Sequence, residues 1–426
     1  MKSKKMKTIT TLTLALLLSA SVVGCSNAQD GSENAAATQP ATAQASPTPI
    51  ASTPAASETE SSSATTTTEA SVQDTSELFS DRDLEQTADL TAATQIQLIS
   101  DQDVTLNTEG VYVLSGEATN VTVVVEAPED AKVQIVLDGV SITNEDSPAI
   151  YVKEADKVFV TSTDSENRME VTGTYVADGD TNLDAAIFSR ADLTLNGTGS
   201  LDIVSAQGNG ISSKDDLKIT GGVYNIQSSL DALVANDAIL INDGTMTIDA
   251  GKDALHSENE EDATVGYIYI EGGDLKINAV EDAIQGNSFV QIDGGTINIE
   301  TSQEGIEATS VKINDGQITL YASDDGINAA QKVDGNVAIE VNGGTINVTM
   351  GSGDTDAFDS NGDISINGGT LTVEAQSAFD ADGTAQLNGG DVTVNGEKIT
   401  EITASRGGPG GGGGFGGGGG RGMGRQ

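Results

Sequence analysis

Oxygen-bearing side chains recur at one place in the second half of this 426-residue chain, at spacings that would stack them. Asp231, Asp253, Asp282, Glu304 and Asp325 each fall nine positions after a glycine, and Asp356 and Ser377 continue the series. Each is followed by Ala or Gly and then an apolar residue. Three positions further on stand Val234, His256, Gln285, Glu307, Asn328, Asp359 and Asp380, so a second column gains oxygen towards the C-terminal units. Calcium takes six to eight carboxylate and amide oxygens at about 2.3–2.6 Å. Magnesium demands a tighter octahedron and keeps its water, and zinc favours His and Cys, of which the chain has one each. The pattern predicts several calcium ions held among Asp231, Asp253, Asp282, Glu304, Glu307, Asp325, Asn328, Asp356, Asp359 and Asp380.

A second reading of the same residues is structural. An Asp before Ala or Gly caps a turn through backbone hydrogen bonds. That reading weighs most at Asp231 and Asp253, where Lys252, Val234 and His256 intrude. His256, a lone histidine on a polar corner, reads as a solvated residue. Tyr267 and Tyr269 alternate with Ile268 and Ile270, which turns their rings outward, as a small stacking patch or as ordinary sheet-surface tyrosines.

The elements that must position these columns repeat every twenty-odd residues. Corner glycines stand at 222, 244, 273, 295, 316, 344, 369 and 390, with Asn242, Asp293, Asn314, Asn342, Asn367 and Asn388 at or just before them. Glycine, Asn and Asp tolerate the positive φ of a tight corner. Between corners, runs such as Val311, Lys312, Ile313 alternate branched and polar residues, the strand period of two. Within these repeats no helical stretch of ten residues occurs, and neither a leucine-rich ladder nor a tandem G-G-x-G-x-D roll is present. Strands joined by corners at coils of roughly 21–29 residues predict an all-β solenoid, a parallel β-helix. Its coils lie about 4.8 Å apart, so like charges in a column oppose one another and an ion between two coils would relieve them. The asparagines beside the glycines read as a structural amide ladder.

Along the chain, Lys2, Lys4, Lys5 and Lys7 precede an apolar run at 12–23 that ends on Cys25, the pattern of a secretory leader too short to span a bilayer. Val22, Val23 and Gly24 before that cysteine look like a lipobox, which makes residues 1–24 the leader and Cys25 the lipid-bearing first residue, on the extracellular face of the membrane. Residues 25–76, rich in Ser, Thr, Ala and Pro, read as a disordered tether. Residues 77–405 are the β-helix, with 77–95 as a cap over its first coil, and 406–426 are a disordered glycine-rich tail. The balance of 65 acidic against 20 basic residues makes nucleic acid a poor partner. Cys25 is the lone cysteine, so the folded part carries no disulfide.

Taken together, the lipobox, the tether, residues 77–84, the repeated Gly-Gly-Thr and Asp-Ala units and the glycine-rich tail resemble the bacterial carbohydrate-binding β-helix lipoproteins, over about residues 77–405. The resemblance implies a right-handed, pectate-lyase-like β-helix that binds calcium and acidic or cellulosic polysaccharide, with the Asp-Ala corner matching the calcium-bearing corner. A neutral glucan is usually gripped by coplanar aromatics, yet the chain has no Trp and seven each of Tyr and Phe. A polyuronate can instead share calcium with protein carboxylates. A monomeric, surface-anchored binder of polygalacturonate-like polymer is therefore expected, with cellulose the weaker ligand. Two other readings stand beside it. A calcium-dependent polysaccharide lyase would need a base for β-elimination, for which Lys252 is the candidate, with Lys214 and Lys332 more remote. A structural adhesin or wall spacer would select no glycan.

Overall fold

The computed structural model describes residues 75–259, 261–353 and 355–403. The leader, Cys25, nearly all of the expected tether and the glycine-rich tail lie outside the described residues. The described chain is a parallel β-solenoid of about 12 turns. One side is a sheet of 12 short strands, running from Val104–Leu106 to Asp380–Ala381, and a 22-stranded sheet wraps the other two sides. Among the described strand ladders all are parallel except the closing hairpin, in which Glu397–Ile399 pairs antiparallel with Asp391–Val394.

Alternation builds the core directly. In Thr296–Thr301, Ile297 and Ile299 point inward and are buried while Thr296 faces out. In-register pairing stacks like on like, so that Ile241, Ile270, Ile292, Ile313, Val341 and Ile366 form one aliphatic ladder. Each such side chain contributes about 1.5–3 kcal/mol by leaving water. On the short-stranded side Leu233, Leu255, Ile284, Ile306, Ile327 and Phe358 stack likewise, and Phe358 continues onto Phe379 at a ring separation of 5.2 Å. The corner glycines do what their spacing predicts. All eight have φ between +83° and +125°. A Cβ on Gly344 would sit 2.9 Å from the carbonyl oxygen of Gly316 in the coil before it. Beside them Asn342 donates to Asn314 (2.8 Å), Asn367 to Asn342 and Asn388 to Asn367 (2.9 Å each), the expected amide ladder.

The stretch expected as a cap over the first coil lies elsewhere. Thr94–Gln97 does pair with the first long strand, at Tyr112 to Ser115. Residues 78–86, however, run as a strap along the outside of the large sheet. Leu78 and Phe79 pack on Ala238, Leu240 and Tyr269, and Lys218 donates to the Leu78 carbonyl (2.7 Å). Ser80 caps the turn Asp81–Leu84 and bonds reciprocally with Asp83. Asp83, 1% exposed, ion-pairs with Lys157 (2.8 Å), itself 7% exposed, and accepts from Thr194 (2.7 Å). Burial opposes its charge, but the hydrogen bonds from Lys157, Thr194 and Ser80 prevail and hold its carboxyl down at about 2. The physical reason for the lateral position is the sheet's outer surface. It presents apolar Phe159, Leu240 and Tyr269 together with Lys157 and Lys218, which together call for cover and counter-charge. Tyr267 and Tyr269 accordingly form no open stacking patch. Tyr269 is buried beneath the strap and donates to Asp293 (3.0 Å), and Tyr267 stacks on Phe289 at 4.6 Å.

Candidate functional site

Both acidic columns assemble along one edge of the short-stranded sheet. The residue after each acid donates its N–H to the carbonyl of the acid one coil on: Ala232 to Asp253, Ala254 to Asp282, Ala283 to Glu304, Gly305 to Asp325 and Gly326 to Asp356, at 2.9–3.0 Å. The second column is in register throughout, from Val234 through His256, Gln285, Glu307, Asn328 and Asp359 to Asp380.

The turn-capping and ligand readings divide the carboxylate oxygens between them. One oxygen of Asp231 accepts the N–H of Asp253 (3.1 Å), one of Asp253 that of Asp282 (2.8 Å), and one of Asp325 that of Asp356 (3.0 Å). These caps bridge coils, whereas the sequence reading had each Asp capping its own turn. The other oxygen of Asp231, Asp253 and Asp282 turns towards the second column.

Asp282, Glu304 and Glu307 converge, with one carboxylate oxygen from each within 4.8 Å of the others. Asn328 closes the group. It is 7% exposed, and its Nδ2 donates to Glu304 Oε2 (3.0 Å) and Glu307 Oε1 (3.5 Å). Its Oδ1 is buried and accepts no hydrogen bond. Gln285 Nε2 donates to Asp282 (2.6 Å) and Glu307 (2.9 Å). The electrostatics match the crowding. Burial first, then neighbouring carboxylates, push Asp282 up to about 7, Glu304 to about 8, Asp325 to about 6 and Asp359 to about 7. The charges that raise Asp359 are those of Asp325, Asp356, Asp380 and Asp382, so the crowding continues to the last coils.

Two expectations need correction. His256 is not solvated: its side chain is 17% exposed, with Nδ1 3.2 Å from Asp253 and 3.6 Å from Asp231, and Nε2 3.5 Å from Glu258. Burial works against its charge, but the two aspartates outweigh that and raise it to about 10. The basic residues also rank differently from the sequence expectation. Lys252 pairs with Glu281 at 3.7 Å, and Lys214 lies 5.6 Å over the Phe188 ring. Lys332, the remote candidate, is the one whose Nζ contacts Glu307 in the carboxylate group. Thr309 Oγ1 positions it by accepting the N–H groups of Lys332 (3.0 Å) and Val333 (3.1 Å). Nothing in the coil period marks Thr309, Glu258 or the reach of Lys332, because all three contacts involve the irregular insertions.

A carbohydrate-binding domain-containing protein of Acetivibrio thermocellus is 32% identical over 133 residues, 30% of this chain and 46% of that relative. The match thus spans less than half of the relative's length. A solved structure of the polysaccharide lyase-like protein from C. thermocellum, a gadolinium derivative, is similar over 69% of this chain and 99% of that one, at 24% identity and a TM-score of 0.42. Residues 100–357 match the carbohydrate-binding domain-containing protein family, and since that stretch is more than half of the sequence, the chain belongs to this family.

Proposed function

We propose that the chain binds acidic cell-wall polysaccharide of the polygalacturonate type through calcium held at the carboxylate corner, and that a lipid on Cys25 keeps it at the cell surface. The observation that carries the reading is Asn328 Oδ1, a buried oxygen with no donor, set beside Asp282, Glu304 and Glu307. Leaving a buried acceptor unpaired costs about 1–3 kcal/mol. A hard cation would satisfy it and the crowded carboxylates together, since calcium accepts carboxylate and amide oxygens alike. Asp282, Glu304, Glu307 and Asn328 would hold that ion; Asp325, Asp356, Asp359 and Asp380 are the further group. Bound calcium supplies positive charge that a uronate carboxylate can share.

The chain's own residues do the remaining work. Gln285 orients Asp282 and Glu307, and the capped carboxylate oxygens hold the column in line with the coils. Lys332 adds a fixed cation beside the group for an acidic sugar. Acidic polymer is favoured over cellulose because, of the described residues, Tyr321 is the lone aromatic among the exposed large hydrophobic side chains. A flat glucan surface would want several. Co-sedimentation with polygalacturonate, with and without chelator, tests the reading. Binding is expected to need calcium and to weaken in Asn328→Ala; binding unchanged by excess chelator overturns it.

Lys332 also favours a second reading, a lyase. β-Elimination needs a base beside the ion, and Lys332 is better placed for that than Lys252. An unsaturated, ultraviolet-absorbing product that disappears in Lys332→Ala would support it. No product from several polyuronates in the presence of calcium would remove it.

A further inference from the structure

The corner holds a second group of different chemistry. We propose that Asp231, Asp253 and His256 form a site for a zinc-class divalent cation, separate from the all-oxygen group at Asp282. This inference stands whether or not the calcium reading does.

Both carboxylates approach the same ring nitrogen. Asp253 Oδ2 lies 3.2 Å and Asp231 Oδ2 3.6 Å from His256 Nδ1, and the three ligand atoms lie within 4.8 Å of one another. A protonated Nδ1 has one hydrogen and serves one acceptor well, not two. Both imidazole nitrogens are out of solvent, and neither makes a hydrogen bond of acceptable geometry. A cation placed among the three atoms resolves that mismatch. Zinc bonds of about 2.0–2.1 Å in a tetrahedron separate the ligand atoms by roughly 3.3–3.4 Å, and the observed 3.2 and 3.6 Å bracket that spacing.

The surroundings fit as well. Histidine ligands usually hand their second nitrogen to a carboxylate, and Glu258 Oε2 lies 3.5 Å from Nε2. The other oxygens of Asp231 and Asp253 are tied to the N–H groups of Asp253 and Asp282, which fixes the direction of the ligating ones. Lys252, the neighbouring cation, pairs with Glu281 at 3.7 Å and also lies near enough to Asp231 for the two charges to act on each other. Three protein ligands leave a fourth position for water or a donor from outside the chain. An imidazole nitrogen among the ligands selects zinc or cobalt over calcium.

The test uses the metal-stripped protein held in millimolar calcium, titrated with zinc by calorimetry and with cobalt by visible absorption. The expected result is one zinc per chain more in the parent than in His256→Gln. Cobalt should give a tetrahedral spectrum lost in that variant, and Glu258→Gln should weaken binding about 10–100-fold. Circular dichroism melting of each variant separates lost folding from lost ligation. Equal zinc uptake by parent and His256→Gln overturns the proposal. So does an additional calcium taken up by His256→Asp with no zinc bound by the parent, because His256 would then be a built-in counter-ion. Calcium binding by Asn328→Ala, measured alongside, reports separately on the carboxylate group.

Discussion

In chelator, the melting temperature of the domain should fall as the buffer is taken from about pH 5.5 to about pH 8.5, and calcium should flatten that slope. Asp282, Glu304, Asp325 and Asp359 have folded-state values raised to about 7, 8, 6 and 7. In the unfolded chain, Asp and Glu ionise near pH 3.9 and 4.3. Between those values and the raised ones, the folded state keeps protons that the unfolded state has released. Folding is therefore favoured at the acid end, and stability is lost as pH climbs from about 4 until the last of the four ionises in the folded state near 8. Each proton kept only by the folded state changes stability by about 1.4 kcal/mol per pH unit. Even one proton, shared by the four carboxyls, gives a readable slope. His256 acts in the same direction: raised to about 10, it contributes stability below its unfolded value near 6.5 that is lost towards pH 10. Repeating the series in His256→Gln removes that part. With the ion at one hundred times its dissociation constant, binding adds about 2.7 kcal/mol at alkaline pH. It adds less at acid pH, where protons compete for the same oxygens. A chelator-treated protein with the same midpoint at both ends of the series, or a midpoint indifferent to calcium, would refute the reasoning.

Two further outcomes test the scaffold. Asp83→Ala takes from the buried Lys157 its close partner and leaves it only Asp192, at 3.9 Å. It should cost about 3–5 kcal/mol and make residues 78–90 protease-sensitive, whereas Asp83→Leu with Lys157→Met should recover much of the loss. Gly344→Ala should destabilise by more than Gly396→Ala in urea melts. Both glycines have similar positive φ (+83° and +81°), a strain of about 1–2 kcal/mol for alanine, but a Cβ meets the Gly316 carbonyl oxygen at 344 and open space at 396. Equal losses would mean that close stacking of the coils adds nothing at that corner.

What could be read in the sequence, and what could not, follows from how a solenoid folds. Each coil pairs with its neighbours in fixed register, so residues one period apart must stack. Hence the glycine corners, the aliphatic ladders and both oxygen columns were legible as a repeat. The family resemblance was legible too, and the match over residues 100–357 agrees with it. Contacts outside the period were not legible. Residues 78–86 look like any amphipathic lead-in; their place along the sheet depends on Lys157, Lys218, Leu240 and Tyr269, four residues far apart in sequence that one surface brings together. His256 looks solvated until stacking sets it between aspartates of two successive coils. Lys332 lies 25 positions beyond Glu307, and an insertion held by Thr309 closes that gap. Periodicity alone therefore determined the coil and the line of acids. Only the tertiary structure decided which cation faces which acid, because irregular insertions follow no period and settle where charge and burial place them.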